Sequence, residues 1–284
     1  MLKLVDKRLY SKNINYFFSE LKNALSLSDY DILKKEGHQK GQFNYGQVHL
    51  SDLIRILNSY NVTLSNVVAK KVDFDAIKAQ YLGLSFIPQK YTRVAAFSSR
   101  FTSRYMLDFI DRSYGQGTRE HICRHFQLKY DDFLDLSEKN NIILPFDICD
   151  YTAQHLGTGI IKDMGKSSAG LFRNLDFKYR NKNVSTTRAI EYVFEDFIPS
   201  RVEKNYLWKI LNVKRNSVLI SGRPNDEVED QVGSQIAMSS TLRALRTGFI
   251  EGASEVACNT RTHVTSKNIN LNGKQTDLYH LKFH

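Results

Sequence analysis

The sequence predicts an α+β fold. A small all-α unit over residues 1–72 is followed by a larger mixed unit over 73–284, mainly helical to residue 200 and α/β from 201 onward. Three observations carry this prediction. Apolar residues recur at three- and four-residue spacing through the N-terminal segments. From Tyr206 the period shortens to two, and β-branched and aromatic residues take over. Near the C-terminus, Asn272–Gly273 separates two alternating stretches, a strong signal for a two-residue hairpin.

The chain's 284 residues are enough for two domains, and 42% hydrophobic with 12% aromatic content argues against wholesale disorder. Apolar runs fall short of the roughly 18 residues that span a bilayer, so no membrane is expected as a partner. The start, "MLKLVDKRLYSKN", mixes charge into its apolar residues, unlike a secretory signal. Three widely spaced cysteines, Cys123, Cys149 and Cys258, suit a reducing cytoplasm rather than a disulfide framework. The net charge is +10, and residues 1–72, with 11 Lys/Arg and 6 Asp/Glu, hold half of it. A basic small segment ahead of a more neutral one fits a nucleic-acid-binding unit, or equally a basic solvated surface.

Within the first unit, "NINYFFSELKNAL" places Ile14, Phe17, Phe18, Leu21 and Leu25 on one helical face. Ser28 is a fitting N-cap for the helix that follows, and Gly37 a fitting stop. "HLSDLIRILNSYNVTLSNVV" reads as two short amphipathic helices broken at Asn61, the second capped by Thr63. "VDFDAIKAQYLG" supplies one more helix.

On these residues the unit resembles the Cro/CI-repressor-type helix-turn-helix domain, with "LSDLIRILNSYNVTLSNVV" in place of its last two helices. "HQKGQFNYG" is shorter than that family's recognition segment. The resemblance implies DNA as a partner. Gln39, Gln42 and Asn44 would reach base edges, Lys34, Lys35 and Lys40 would reach phosphate, and Arg55 with Lys70–Lys71 would flank them. The alternative is an adaptor that uses a degenerate helix-turn-helix domain to bind another protein.

A linker is expected around Leu82–Gln89, and the segment beyond it, to residue 115, reads as a helix carrying Val94, Phe97, Phe101, Tyr105, Leu107, Phe109 and Ile110 on its apolar side. Arg93, Arg100 and Arg104 on the other side offer cations for an acidic ligand, or ion pairs with neighbouring acids. "TREHICRHFQLKYDDFLDLSEKNNIILPFDICDYTAQHLGTG" and "TTRAIEYVFEDF" resemble, in rhythm, the sensor domain of AraC/XylS-type regulators.

In the last segment "NYLWKIL" and "NSVLISG" read as strands joined at "NVKRN". "SSTLRALRTGFIEGASEVACN" is a helix whose Gly248, Gly252 and Ala253 permit close packing, and a hairpin closes the chain. This order resembles the vinyl-reductase-type and heme-nitric-oxide-associated sensor domains. The resemblance implies a ligand-binding α/β module, commonly dimeric. The ligand-binding candidates are the cations Arg100 and Arg104, and Trp208, Phe249, Tyr279 and Phe283, where the late helix and sheet faces are expected to meet in an apolar pocket. The other reading of the four aromatic residues is ordinary core.

No phosphate loop, CxxC or HExxH motif appears, and Ser167–Ser168 has no triad partners by motif. His121 and His125 share a helical face without an evident third ligand, so no metal is expected. Together these features predict a non-enzymatic, cytoplasmic, homodimeric one-component transcriptional regulator. It would bind DNA through residues 1–72 and sense a small molecule of unknown identity through 73–284. No cofactor can be named from the sequence.

Overall fold

The computed structural model describes residues 7–28, 31–32, 49–84, 86–95, 97–134, 138–169, 185–271 and 273–284. The chain is α+β and divides into two compact units. One is Met1–Pro88 with Glu120–Asp132, and the other is Gln89–Arg119 with Phe133–His284.

The first unit is helical. Helix α1, Lys7–Leu25, buries Ile14, Phe17, Phe18 and Leu21 along one stripe. Helix α2, Leu50–Ser59, adds Leu53, Ile56 and Leu57 to the same core. Each such side chain contributes about 1.5–3 kcal/mol on burial. The chain then reverses at Asn61, whose φ of +56° is a left-handed conformation that Asn tolerates better than most residues. Thr63 caps helix α3, Leu64–Val68, by accepting the Asn66 N–H, and Asp73 caps helix α4, Phe74–Tyr81, by accepting that of Ala76. Side-chain amides tie distant segments of the unit together. Asn61 Nδ2 donates to the Leu128 carbonyl at 2.8 Å and Asn66 Nδ2 to that of His125 at 2.8 Å. Gln127 both accepts from Asp73 N–H at 2.6 Å and donates to the Asp73 carbonyl at 3.0 Å.

In the second unit, helix α5, Arg100–Tyr114, begins later than its apolar spacing predicts. Ser99 caps it, and Ser98–Ser99 form a short strand β1 paired with β2, Lys139–Asn140, so Val94 and Phe97 precede the helix. Helix α6, Gln116–His125, is divided between the two units at Glu120, and α7, Ile143–Leu156, and α8, Gly159–Ser168, follow in the second. Helix α9, Thr186–Glu191, continues into a π-helical stretch, Tyr192–Val202.

Four antiparallel strands come next, β3 (Tyr206–Lys214), β4 (Ser217–Pro224), β5 (Thr262–Leu271) and β6 (Lys274–Phe283), in spatial order β3-β4-β6-β5. Two short helices, α10 (Asp226–Val232) and α11 (Ser234–Ala237), and the long α12 (Ser240–Cys258) lie between β4 and β5 in sequence. The final hairpin closes at Leu271↔Lys274 with Gly273 at φ +81°; Asn272 lies outside the described residues. Val218, Ile220, Val264, Tyr279 and Leu281 from the sheet share a core with Phe249, Ile250 and Ala253 of α12. Helix α12 also approaches α8 closely. A Cβ at Gly248 would collide with the Lys162 carbonyl, and one at Gly165 with that of Leu245. Among the described residues no helix is long and apolar enough to cross a membrane.

Candidate functional site

A crevice in the second unit lies between β3, α12, the π-helical stretch and the β1/α7 region. It encloses about 40 Å³, and its wall is mostly apolar: Ile142, Pro145, Ile198, Val202, Leu242, Leu245 and Phe249. The polar exceptions include Arg246, Glu203 and Trp208.

Arg246 is 6% exposed and stands on the same face of α12 as Leu242, Phe249 and Ile250, at helical spacing. Its guanidinium lies over the Tyr206 ring, 3.5 Å from the centroid, and Nη1 donates to the Ala237 carbonyl at 3.3 Å. The Tyr206 hydroxyl donates to the same carbonyl at 2.7 Å. Burial works against the Arg246 charge, but Tyr206, Glu203, Tyr279 and Asp277 around it outweigh that cost and hold its pKa above the ordinary value. Burial is likewise the main reason that the Tyr206 and Tyr279 hydroxyls and the Cys149 thiol are pushed up, so all three stay protonated. Among the described residues no carboxylate makes an ion pair with Arg246. Glu203 is engaged instead by Asn205 Nδ2 at 3.0 Å.

Trp208 is placed by the sheet. It pairs across strands with Gly222, where a Cβ would come within 2.8 Å of the indole ring. The ring packs on Phe194, Tyr206 and Tyr279 at centroid distances of 5.5, 5.5 and 5.6 Å. Its Nε1 is buried without a hydrogen-bond partner among the described residues. The crevice therefore offers an apolar lining, the Trp208 ring included, and one buried cation.

Of the residues singled out from sequence, Trp208 and Phe249 stand on the crevice wall. Tyr279 is fully buried beside Trp208, and Phe283 packs at the margin of the same core. Arg100 and Arg104 are not on the wall; they pair with Glu138 at 3.5 Å and Asp108 at 3.8 Å. Lys34, Lys35, Gln39, Lys40, Gln42 and Asn44 lie outside the described residues, and Arg55 pairs with Asp52 at 3.3 Å. Sequence reasoning missed Arg246. The available signal was an arginine inside the apolar stripe of "LRALRTGFI".

No family model matches this chain, and no curated protein matches its sequence. Solved structures that it is similar to are H-NOX domains. One, described as "Probing the function of heme distortion in the H-NOX family", has 11% identity and a TM-score of 0.49 over 65% of this chain and 94% of that one. A mutant H-NOX of T. Tengcongensis has 13% identity and a TM-score of 0.46 over 66% and 97%. An oxygen-binding H-NOX domain "related to soluble guanylate cyclases" has 11% identity and a TM-score of 0.45 over 63% and 91%.

The resemblance to helix-turn-helix and AraC/XylS-type regulators is corrected: no family model of either kind matches, and the similar solved structures are H-NOX domains, so both the transcriptional-regulator reading and the degenerate helix-turn-helix adaptor are withdrawn. The physical reason is plain in the first unit. The Asn61 reversal, the Thr63 cap and the apolar stripe of α2 are what any tight pair of packed helices requires, and they serve the unit's own core. DNA as a partner and the homodimer have no support in the comparisons.

Proposed function

We propose that this chain is a small-molecule-binding module whose ligand carries an anionic head, a short-chain carboxylate being the simplest example. Binding without turnover is the proposed activity, in the cytoplasm, where Cys123, Cys149 and Cys258 would stay reduced. The observation that carries the reading is Arg246, a buried guanidinium on a crevice wall with no carboxylate paired to it. A carboxylate meets a guanidinium's planar fork with two parallel hydrogen bonds. Leu242, Leu245, Phe249 and the Trp208 ring cover an aliphatic tail. The crevice's free space of about 40 Å³ holds roughly three water-sized positions, enough for a ligand of a few heavy atoms.

The heme named for the H-NOX domains does not fit this crevice. The crevice is far below the roughly 300 Å³ or more that a ligand pocket usually provides. Its wall holds no histidine, cysteine, methionine or tyrosine to ligate iron.

Trp208 is the only tryptophan in the chain, so its emission reports on this site directly. Formate and acetate should change the emission saturably, and the matching neutral amides should not. Arg246→Gln should weaken carboxylate binding by about 10- to 100-fold, the share of a charge-assisted hydrogen bond of about 1.5–3 kcal/mol. The reading fails if carboxylates leave the emission unchanged, or if Arg246→Gln binds them as well as the natural chain does.

A further inference from the structure

The opposite face of the four-stranded sheet holds a second and larger site. Val218, Ile220, Tyr279 and Leu281 point into the core beneath α12, so strand alternation turns Leu219, Leu278 and His280 to the other face. There they line an open groove of about 560 Å³ with Lys214 and Lys267. That is within the range of ligand-binding pockets. Every ionisable residue lining this groove is basic, namely Lys214, Lys267 and His280, and the rest of the lining is Leu or small polar side chains.

We propose that this groove binds an acidic peptide segment in extended form, with glutamate or aspartate alternating with apolar residues. Charge complementarity gives the acidic half of the assignment. The floor gives the other half. Ser221 pairs with Leu278 and Leu219 with His280, so the two leucines are diagonal neighbours across β4 and β6. Their separation, about 7–8 Å between Cα atoms, is close to the roughly 6.7 Å between alternate residues of an extended peptide. Such a peptide sets two apolar side chains on the leucines and turns its carboxylates to its outer side, where the long, exposed side chains of Lys214 and Lys267 reach up around the backbone to meet them. A nucleic acid fits the groove less well. Bases bind an open sheet by stacking on aromatic rings. Here Trp208 and Tyr279 belong to the core on the covered side, and the groove lining holds no Trp, Tyr or Phe, only the single imidazole of His280.

The test is fluorescence anisotropy on the full chain with a labelled peptide of alternating glutamate and leucine. Saturable binding is expected, weakening as salt rises. The matching lysine–leucine peptide should not bind. The double variant Lys214→Glu, Lys267→Glu should lose about tenfold or more in affinity, from two reversed charges at a partly exposed rim. Leu219→Ser should weaken binding without changing its salt dependence. Circular dichroism of both variants should match that of the natural chain, since all three positions lie off the buried face. Absence of glutamate–leucine binding at low salt overturns the proposal, as does binding indifferent to the charge reversal. So does tighter binding of a single-stranded oligonucleotide that the same reversal abolishes.

Discussion

Glu251 sits where two helices and a strand meet. It lies on α12 and accepts hydrogen bonds from Lys162 Nζ at 2.8 Å, Lys166 Nζ at 3.1 Å and the Val264 N–H at 3.0 Å. Glu255 shares Lys166, and His263 Nδ1 approaches Glu251 to 3.7 Å. Burial alone would raise the Glu251 pKa, but the donors from Lys162, Val264 and Lys166 outweigh it and hold the carboxyl below its usual value. A carboxyl depressed in the folded state stabilises the fold above its unfolded pKa, and that contribution disappears as pH falls through the folded pKa. Glu251→Gln should therefore cost about 1–3 kcal/mol at neutral pH, the range for buried donors left short of a charged acceptor. The gap to the natural chain should close on acidification. Urea denaturation of both chains across pH 3–7 checks this, and a gap independent of pH would contradict it.

The same scale shows why the crevice was only partly legible in the sequence. Its wall joins residues from Ser98 to Phe249, so no local motif contains it. Trp208 and Phe249 stand out by size alone. Arg246 is hidden because an arginine on a helix usually snorkels to water, and only its three-dimensional surroundings reveal that it is buried. Gly222 reads as an ordinary strand glycine until the indole it accommodates is seen beside it.

Among elements, the pairing of α8 with α12 is the tightest test of packing. Gly165, Gly248 and Gly252 let the two backbones approach so closely that side chains would intrude on main-chain atoms. Gly248→Ala would press a methyl group against the Lys162 carbonyl, and it should cost about 3 kcal/mol, the upper end for overpacking. Gly159→Ala, at the open start of α8 with no atom within 4 Å, should stay within about 0.5 kcal/mol of the natural chain. Thermal melts of the two variants separate these outcomes; equal costs would show that the close approach is not what the glycines provide.

Element identity was legible wherever local chemistry dominates. The reversal at Asn61, the Thr63 cap and the pairing Leu271↔Lys274 are each determined by two or three residues. The π-helical stretch was not legible. Ile190, Val193, Phe194, Phe197 and Ile198 are all buried, and their three- and four-residue spacing is that of an ordinary α-helix, so the pattern carries no sign of the wider turn. The start of α5 was also set by pairing rather than period, because β1 must remain extended to meet β2.

At the scale of the whole molecule, the two units keep separate cores. One gathers Phe17, Phe18, Leu21, Ile56 and Leu57, and the other gathers Phe194, Ile220, Ile250, Val264 and Tyr279, with no residue in common. Sequence periodicity places the helices that build the first core. It does not show that residues 120–132 join them, because that depends on the amides of Asn61, Asn66 and Gln127 meeting backbone groups far along the chain. Separate cores predict separate responses, since chains with several units depart from two-state unfolding. Phe18→Ala removes a fully buried ring from the first core and should lower one calorimetric transition by about 3–5 kcal/mol in stability. A carboxylate at a hundred times its dissociation constant should raise the other transition by about 2.7 kcal/mol, because only the second unit holds the crevice. Applied together, the two changes should add, each transition moving by as much as it does alone. A single transition that moves with both would mean that the units unfold as one body, and that ligand energy at Arg246 reaches the core around Phe18.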